Sequence, residues 1–79
     1  MATQTTPSLA VVDRLLDEVD EWSDRARKVR RKLSRLRQGS DAYLDLLPDI
    51  QVGLSVLKSK VEHAHEALEE FEESLAESN

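Results

Sequence analysis

An all-α hairpin of two long antiparallel, coiled-coil-like helices is the fold this sequence predicts, on three observations. Apolar residues recur at alternating steps of three and four along two long stretches. A single compact break, Gln38-Gly39-Ser40-Asp41, separates those stretches. The 79 residues hold only two glycines, two prolines, one Trp, one Tyr and one Phe, which is too little turn and strand material for a β fold.

Residues 1–8 are polar, Thr-rich and without periodicity, and are expected to be a flexible tail. Pro7-Ser8 opens the first helix, with Ser8 as its N-cap. Leu9, Val12, Leu16, Val19, Trp22, Ala26, Val29, Leu33 and Leu36 then fall on one stripe and predict a helix over about residues 9–38. Between Val19 and Ala26 the repeat shortens by one, a slip of the stutter or stammer kind, and Trp22 stands at it. Its bulk suits a packing irregularity; exposed, it would instead be an interaction anchor. Basic residues in the last turn and Gly39 at the C′ position end this helix. Ser40 or Asp41 is placed to cap the next.

The second stripe is Tyr43, Leu47, Ile50, Leu54, Leu57, Val61, Ala64, Leu68, Phe71 and Leu75, a helix over about residues 41–77. Pro48 removes one backbone donor and crowds the preceding turn, so a kink or a restart is expected there. So short a connection makes the helices antiparallel neighbours, with position n opposite roughly 79 − n. Residues 9–77 then form one hairpin domain.

Composition narrows the function. The chain has no cysteine, which removes disulfides, thiolate metal sites and Cys nucleophiles. Its N-terminus lacks a basic segment followed by an apolar one, so no signal peptide is read. No apolar run approaches the roughly 18 residues of a membrane span, and a cytoplasmic protein is expected. There is no Gly-rich phosphate loop and no nucleophile beside a base, so neither an enzyme, a cofactor nor a small-molecule substrate is expected. Glu62 and His65 have the E-x-x-H spacing found in carboxylate-bridged metal sites. Val61 and Ala64 occupy the expected seam, however, which puts that pair on its wet flank, and no metal site is expected.

What remains is interaction. A two-helix core in a chain this small is marginal, and such folds usually add a partner. Val11, Leu15, Leu44, Leu46, Val52 and Val56 lie off the expected stripe. Val52 and Val56 are one turn apart beside Gly53, which suggests a second apolar face. The expected function is therefore a protein–protein interaction module, an assembly, adaptor or small regulatory subunit, that self-associates as a homodimer into a four-helix bundle.

Charge points the same way. Residues 1–24 carry six acids against one base, net −5. Residues 25–37 carry eight bases (Arg25, Arg27, Lys28, Arg30, Arg31, Lys32, Arg35 and Arg37) and no acid, net +8. Residues 38–79 carry ten acids against two bases, net −8. In a hairpin this makes a basic turn end and an acidic open end. Arg27, Arg30, Arg31 and Arg35 of one copy are then candidates to meet the acidic end of another, steering the encounter more than setting its affinity. The alternative is a nucleic-acid-binding protein whose basic stretch tracks phosphates. The acidic remainder and the lack of aromatics in that stretch weigh against it, and against an anionic membrane surface still more.

Overall fold

The computed structural model describes residues 8–78, with side chains for residues 8–77. It contains two helices packed against each other, α1 (Leu9–Ser34) and α2 (Asp41–Ser78), and no strand among the described residues. The molecule measures 58 × 19 × 14 Å, two helices side by side and one layer deep. The tail expected over residues 1–8 lies outside the described residues except for Ser8.

Each helix starts where a hydroxyl can hold it. Ser8 Oγ accepts the Val11 N–H at 3.3 Å, and its carbonyl accepts the Val12 N–H at 3.1 Å. Ser40 repeats the device, with Tyr43 N–H donating to Oγ at 3.2 Å and Leu44 N–H to the carbonyl at 2.9 Å. Of the two candidate caps for α2, Ser40 is the one used.

α1 stops at Ser34, four residues short of the expected Gln38. Arg35 N–H to Lys32 O and Leu36 N–H to Leu33 O, both 3.1 Å, tighten the end into i→i+3 bonds. The Ser34 hydroxyl competes for the same backbone, donating to Arg31 O at 2.7 Å. Like charges one turn apart, Arg27 with Arg31 and Arg31 with Arg35, add to the cost of continuing. Gly39 is accordingly not a helix cap. It has φ +83° at the third position of a β-turn closed by Ser40 N–H to Arg37 O at 3.0 Å, where a positive φ is required.

α2 runs through Pro48 as a single helix, without the restart considered from the sequence. Pro48 is exposed, so the Leu44 carbonyl that loses its donor is on the watered side of the helix.

The seam keeps most of the stripe that hydrophobicity alone selects but takes Leu15 for Leu16 on α1 and, at alternate positions of α2, the residue one place earlier. On α1 the covered row is Val12, Leu15, Val19, Trp22, Ala26, Val29 and Leu33, and Leu16 is left 44% exposed. Taking Leu15 in place of Leu16 makes the steps 3, 4, 3, 4, 3, 4, so the expected slip around Trp22 disappears. On α2 the covered row is Tyr43, Leu46, Ile50, Gly53, Leu57, Lys60, Ala64, Ala67, Phe71 and Ser74. Leu15 and Leu46, expected off the stripe as partner-binding residues, are thus seam residues, and Leu54, Val61, Leu68 and Leu75 are not. Among the described residues only Val12, Ala64 and Ala67 are buried. The pairing register places Val12 between the two alanines, where small side chains let the helix axes approach.

Lys60 is the charged exception in the seam rows among the described residues. Its ammonium donates to Glu18 Oε1 of α1 at 2.6 Å, with each side chain about 30% exposed. That bond, followed by weaker charge effects, holds the Glu18 carboxyl below its ordinary range. A half-buried ion pair inside a seam adds little stability but penalises a slipped register.

Candidate functional site

The two rows flanking the seam have different characters. In heptad terms the seam fills positions a and d, and in an antiparallel pair each helix's g row lies beside the other's g row, and e beside e. The g side is recognisable directly. Arg25 of α1 and Asp49 of α2, both at g, line one hollow of about 240 Å³ together with Trp22, Ala26, Val29, Val52 and Gly53. Glu18, also at g, is the residue that reaches Lys60. The e rows therefore share the opposite side.

That opposite side is apolar. Its α1 row begins Leu9, Leu16 and its α2 row is Leu47, Leu54, Val61, Leu68, Leu75, with Leu44 just outside it. Of the eight large aliphatic side chains left exposed among the described residues, seven are on this side; Val52, 63% exposed, is the exception. Scattered exposed leucines need no explanation, but a row repeating every seven residues along the whole of α2 does. An apolar a, d and e set is the pattern of a helix that packs in two directions, as in a bundle.

The g side is built otherwise. The Arg25 guanidinium stacks 4.4 Å from the centre of the Trp22 ring and also pairs with Glu21 at 3.1 Å. Trp22 is thus half-buried under its own helix's arginine, a packing element more than a protruding anchor. Gly53 faces the hollow, and a methyl group there would meet nothing within 4 Å. Val52 is exposed on the rim of the hollow, whose lining includes Arg25 and Asp49, and Val56, one turn on, is half-covered. Val11 is half-covered on this same side.

The basic stretch is largely unpaired. Lys28 pairs with Asp24 at 3.2 Å and Arg25 with Glu21, each one turn back on α1. Among the described residues Arg27, Arg30, Arg31, Lys32, Arg35 and Arg37 have no ion-pair partner. Arg27, Arg30, Arg31 and Ser34 line an open surface depression of about 400 Å³ on one face of α1. Arg27 and Arg30 border the apolar side, while Arg35 lies beyond the end of α1.

Comparison with known protein families, with curated proteins and with solved structures finds no match. The surface itself therefore carries the functional argument. No group of three or more metal-ligating side chains comes together among the described residues, and His65 stands 3.8 Å from Glu69 on the exposed face of α2. Among the described residues no helix is long and apolar enough to cross a membrane.

Proposed function

We propose that the protein is a non-enzymatic interaction module that works by covering its apolar flank, and that it does so by self-association into a four-helix bundle. One observation carries the reading: seven of the eight exposed large aliphatic residues share one side of the hairpin. Each is already about half covered. Full burial of such a side chain is worth about 1.5–3 kcal/mol, so covering what remains returns on the order of 5–10 kcal/mol per protomer before the costs of association.

The dimensions agree with that reading. A compact chain of 9.0 kDa would expose about 4,900 Å², whereas this one exposes 6502 Å². The surplus exceeds the roughly 800 Å² that a standard interface takes from each partner. The layered geometry also fits, since one apolar side on a single-layer hairpin is completed by a second layer.

The test is sedimentation equilibrium at low micromolar concentration. A dimer is expected, reduced to monomer by Leu16→Asp with Leu68→Asp while the circular dichroism stays helical. A wild-type monomer that is stable and helical would overturn self-association and leave the flank to a different partner.

A second reading, binding to a nucleic-acid backbone, is favoured by the unpaired Arg27, Arg30 and Arg31 around their depression. Phosphate contacts weaken steeply with salt, so gel retardation at 50 mM that vanishes at 200 mM would support it. No retardation at either concentration is the outcome expected from self-association alone.

A further inference from the structure

The apolar α2 row runs from end to end, so its burial does not choose how a second copy lies on it; the charges bordering it do. Beside the apolar rows on α1 stand Asp13 and Asp20 toward the open end, and Arg27 and Arg30 toward the turn. All four are exposed, and neither aspartate nor either arginine has an ion-pair partner among the described residues. On α2 the same border carries Gln51, then Lys58 near the middle, and His65 and Glu72 toward the open end.

We infer that the occupant of the apolar flank is a second copy lying head to tail, with Arg27 and Arg30 of each protomer on Asp13 and Asp20 of the other. This rests on the self-association proposed above and specifies its geometry. A two-fold axis perpendicular to the helices exchanges the two layers and sets α1 antiparallel to its counterpart. Matching the pair 27/30 to the pair 13/20 puts that axis level with Ser23 on α1 and, across the hairpin, with Leu54 on α2. Ser23 is the one small uncharged residue of the α1 e row, so the layers approach closely at the axis itself. Leu16 then lies under the aliphatic stems of the partner's arginines, which cover it while their heads reach the carboxylates. The head-to-head alternative stacks α1 on the partner's α2, with Asp20 level with Lys58 but Arg27 and Arg30 level with the uncharged Gln51 and Pro48, so that neither arginine meets a carboxylate on this border.

Charge exchange separates the two geometries. In the head-to-tail dimer, Arg27→Glu with Arg30→Glu makes both contacts acid on acid, and Asp13→Arg with Asp20→Arg makes both base on base. Each double variant should raise its own dissociation constant about tenfold or more at low salt. Mixing the two variants should restore association, because every contact in the mixed dimer is then opposite in sign. In the head-to-head dimer the arginine reversal leaves association unchanged, because no charge of the partner's border lies level with it, and mixing the two variants restores nothing; that result would overturn the inference while leaving self-association standing. Unchanged association of both variants would overturn it equally.

A distance measurement provides an independent check. The chain has no cysteine, so Glu73→Cys on the charged flank of α2 accepts a single spin label per protomer. Head to tail, the labels lie about 55 Å apart at ~1.5 Å rise per residue on either side of the axis. Head to head they fall within about 20 Å, two helix diameters. A short distance rejects the geometry, and a chain that stays monomeric in both experiments rejects the self-association on which it rests.

Discussion

The two flanks of one seam pose opposite problems. On the flank of Leu16, Leu54, Val61, Leu68 and Leu75, aliphatic side chains repeat every seven residues and stay about half exposed. On the flank of Glu18, Arg25, Asp49 and Val52, charges pair, an arginine roofs a tryptophan, and a hollow is left beside a glycine. The first has apolar surface with nothing to cover it; the second is closed by polar groups and has space with nothing to fill it. The same two helices build both. The difference shows that hydrophobic content and packing are separate variables: α2 spends small side chains on its partner helix and keeps large ones for a second layer.

The comparison collapses if the seam is broken. Val12 is the one fully buried large aliphatic side chain among the described residues, 1% exposed, and Val12→Asp would strand a carboxylate there without a partner. A loss of at least ~3 kcal/mol is expected, enough to unfold so small a domain, read as loss of the helical circular dichroism signal. Next in size is the contrast between flanks. Leu16→Asp with Leu68→Asp should weaken self-association a hundredfold or more, whereas Val52→Asp with Val56→Asp should change it less than about threefold, since only the first pair removes apolar interface. Equal effects in sedimentation would mean that the two flanks are not functionally distinct.

Gly53 sharpens the description of the other side. A mid-helix glycine costs roughly 1 kcal/mol relative to alanine, and the methyl group of Gly53→Ala would meet no neighbouring atom. The variant should gain about 0.5–1 kcal/mol, several degrees in the midpoint of a thermal melt. Unchanged or lowered melting would show that the hollow closes in solution.

The smallest effect expected is the pH response of Glu18. Its carboxyl titrates below its unfolded value because Lys60 donates to it in the fold. A depressed folded pKa contributes stability above the unfolded value near ~4.3 and loses it as pH falls through the lower, folded one. The urea midpoint should therefore drop on going from pH 6 to pH 3, and Glu18→Gln should drop less.

Much of this was legible from the residues alone. Ser8 and Ser40 announce both helix starts, the break around Gly39 announces the turn, and the paired stripes announce an antiparallel hairpin. These are local matters, decided by hydrogen-bond capacity and backbone freedom within a few positions. The end of α1 was less so, because the Ser34 hydroxyl, the i→i+3 bonds and the crowding of cations act together and no single residue marks them. Only the tertiary structure decided which row of α2 enters the seam. Rows 43, 46, 50, 53 and 43, 47, 50, 54 share alternate residues, and their centres differ by a rotation of only about 50°. Apolar content favours the second, with leucines and valine where the first has Gly53, Lys60, Ala67 and Ser74. Two helices in contact favour the first, because Ala64 and Ala67 are buried in the seam with Val12 and Glu18 neutralises the one lysine admitted. Sequence therefore determined that the chain is a hairpin, while the meeting of its two helices determined which apolar row was left facing outward.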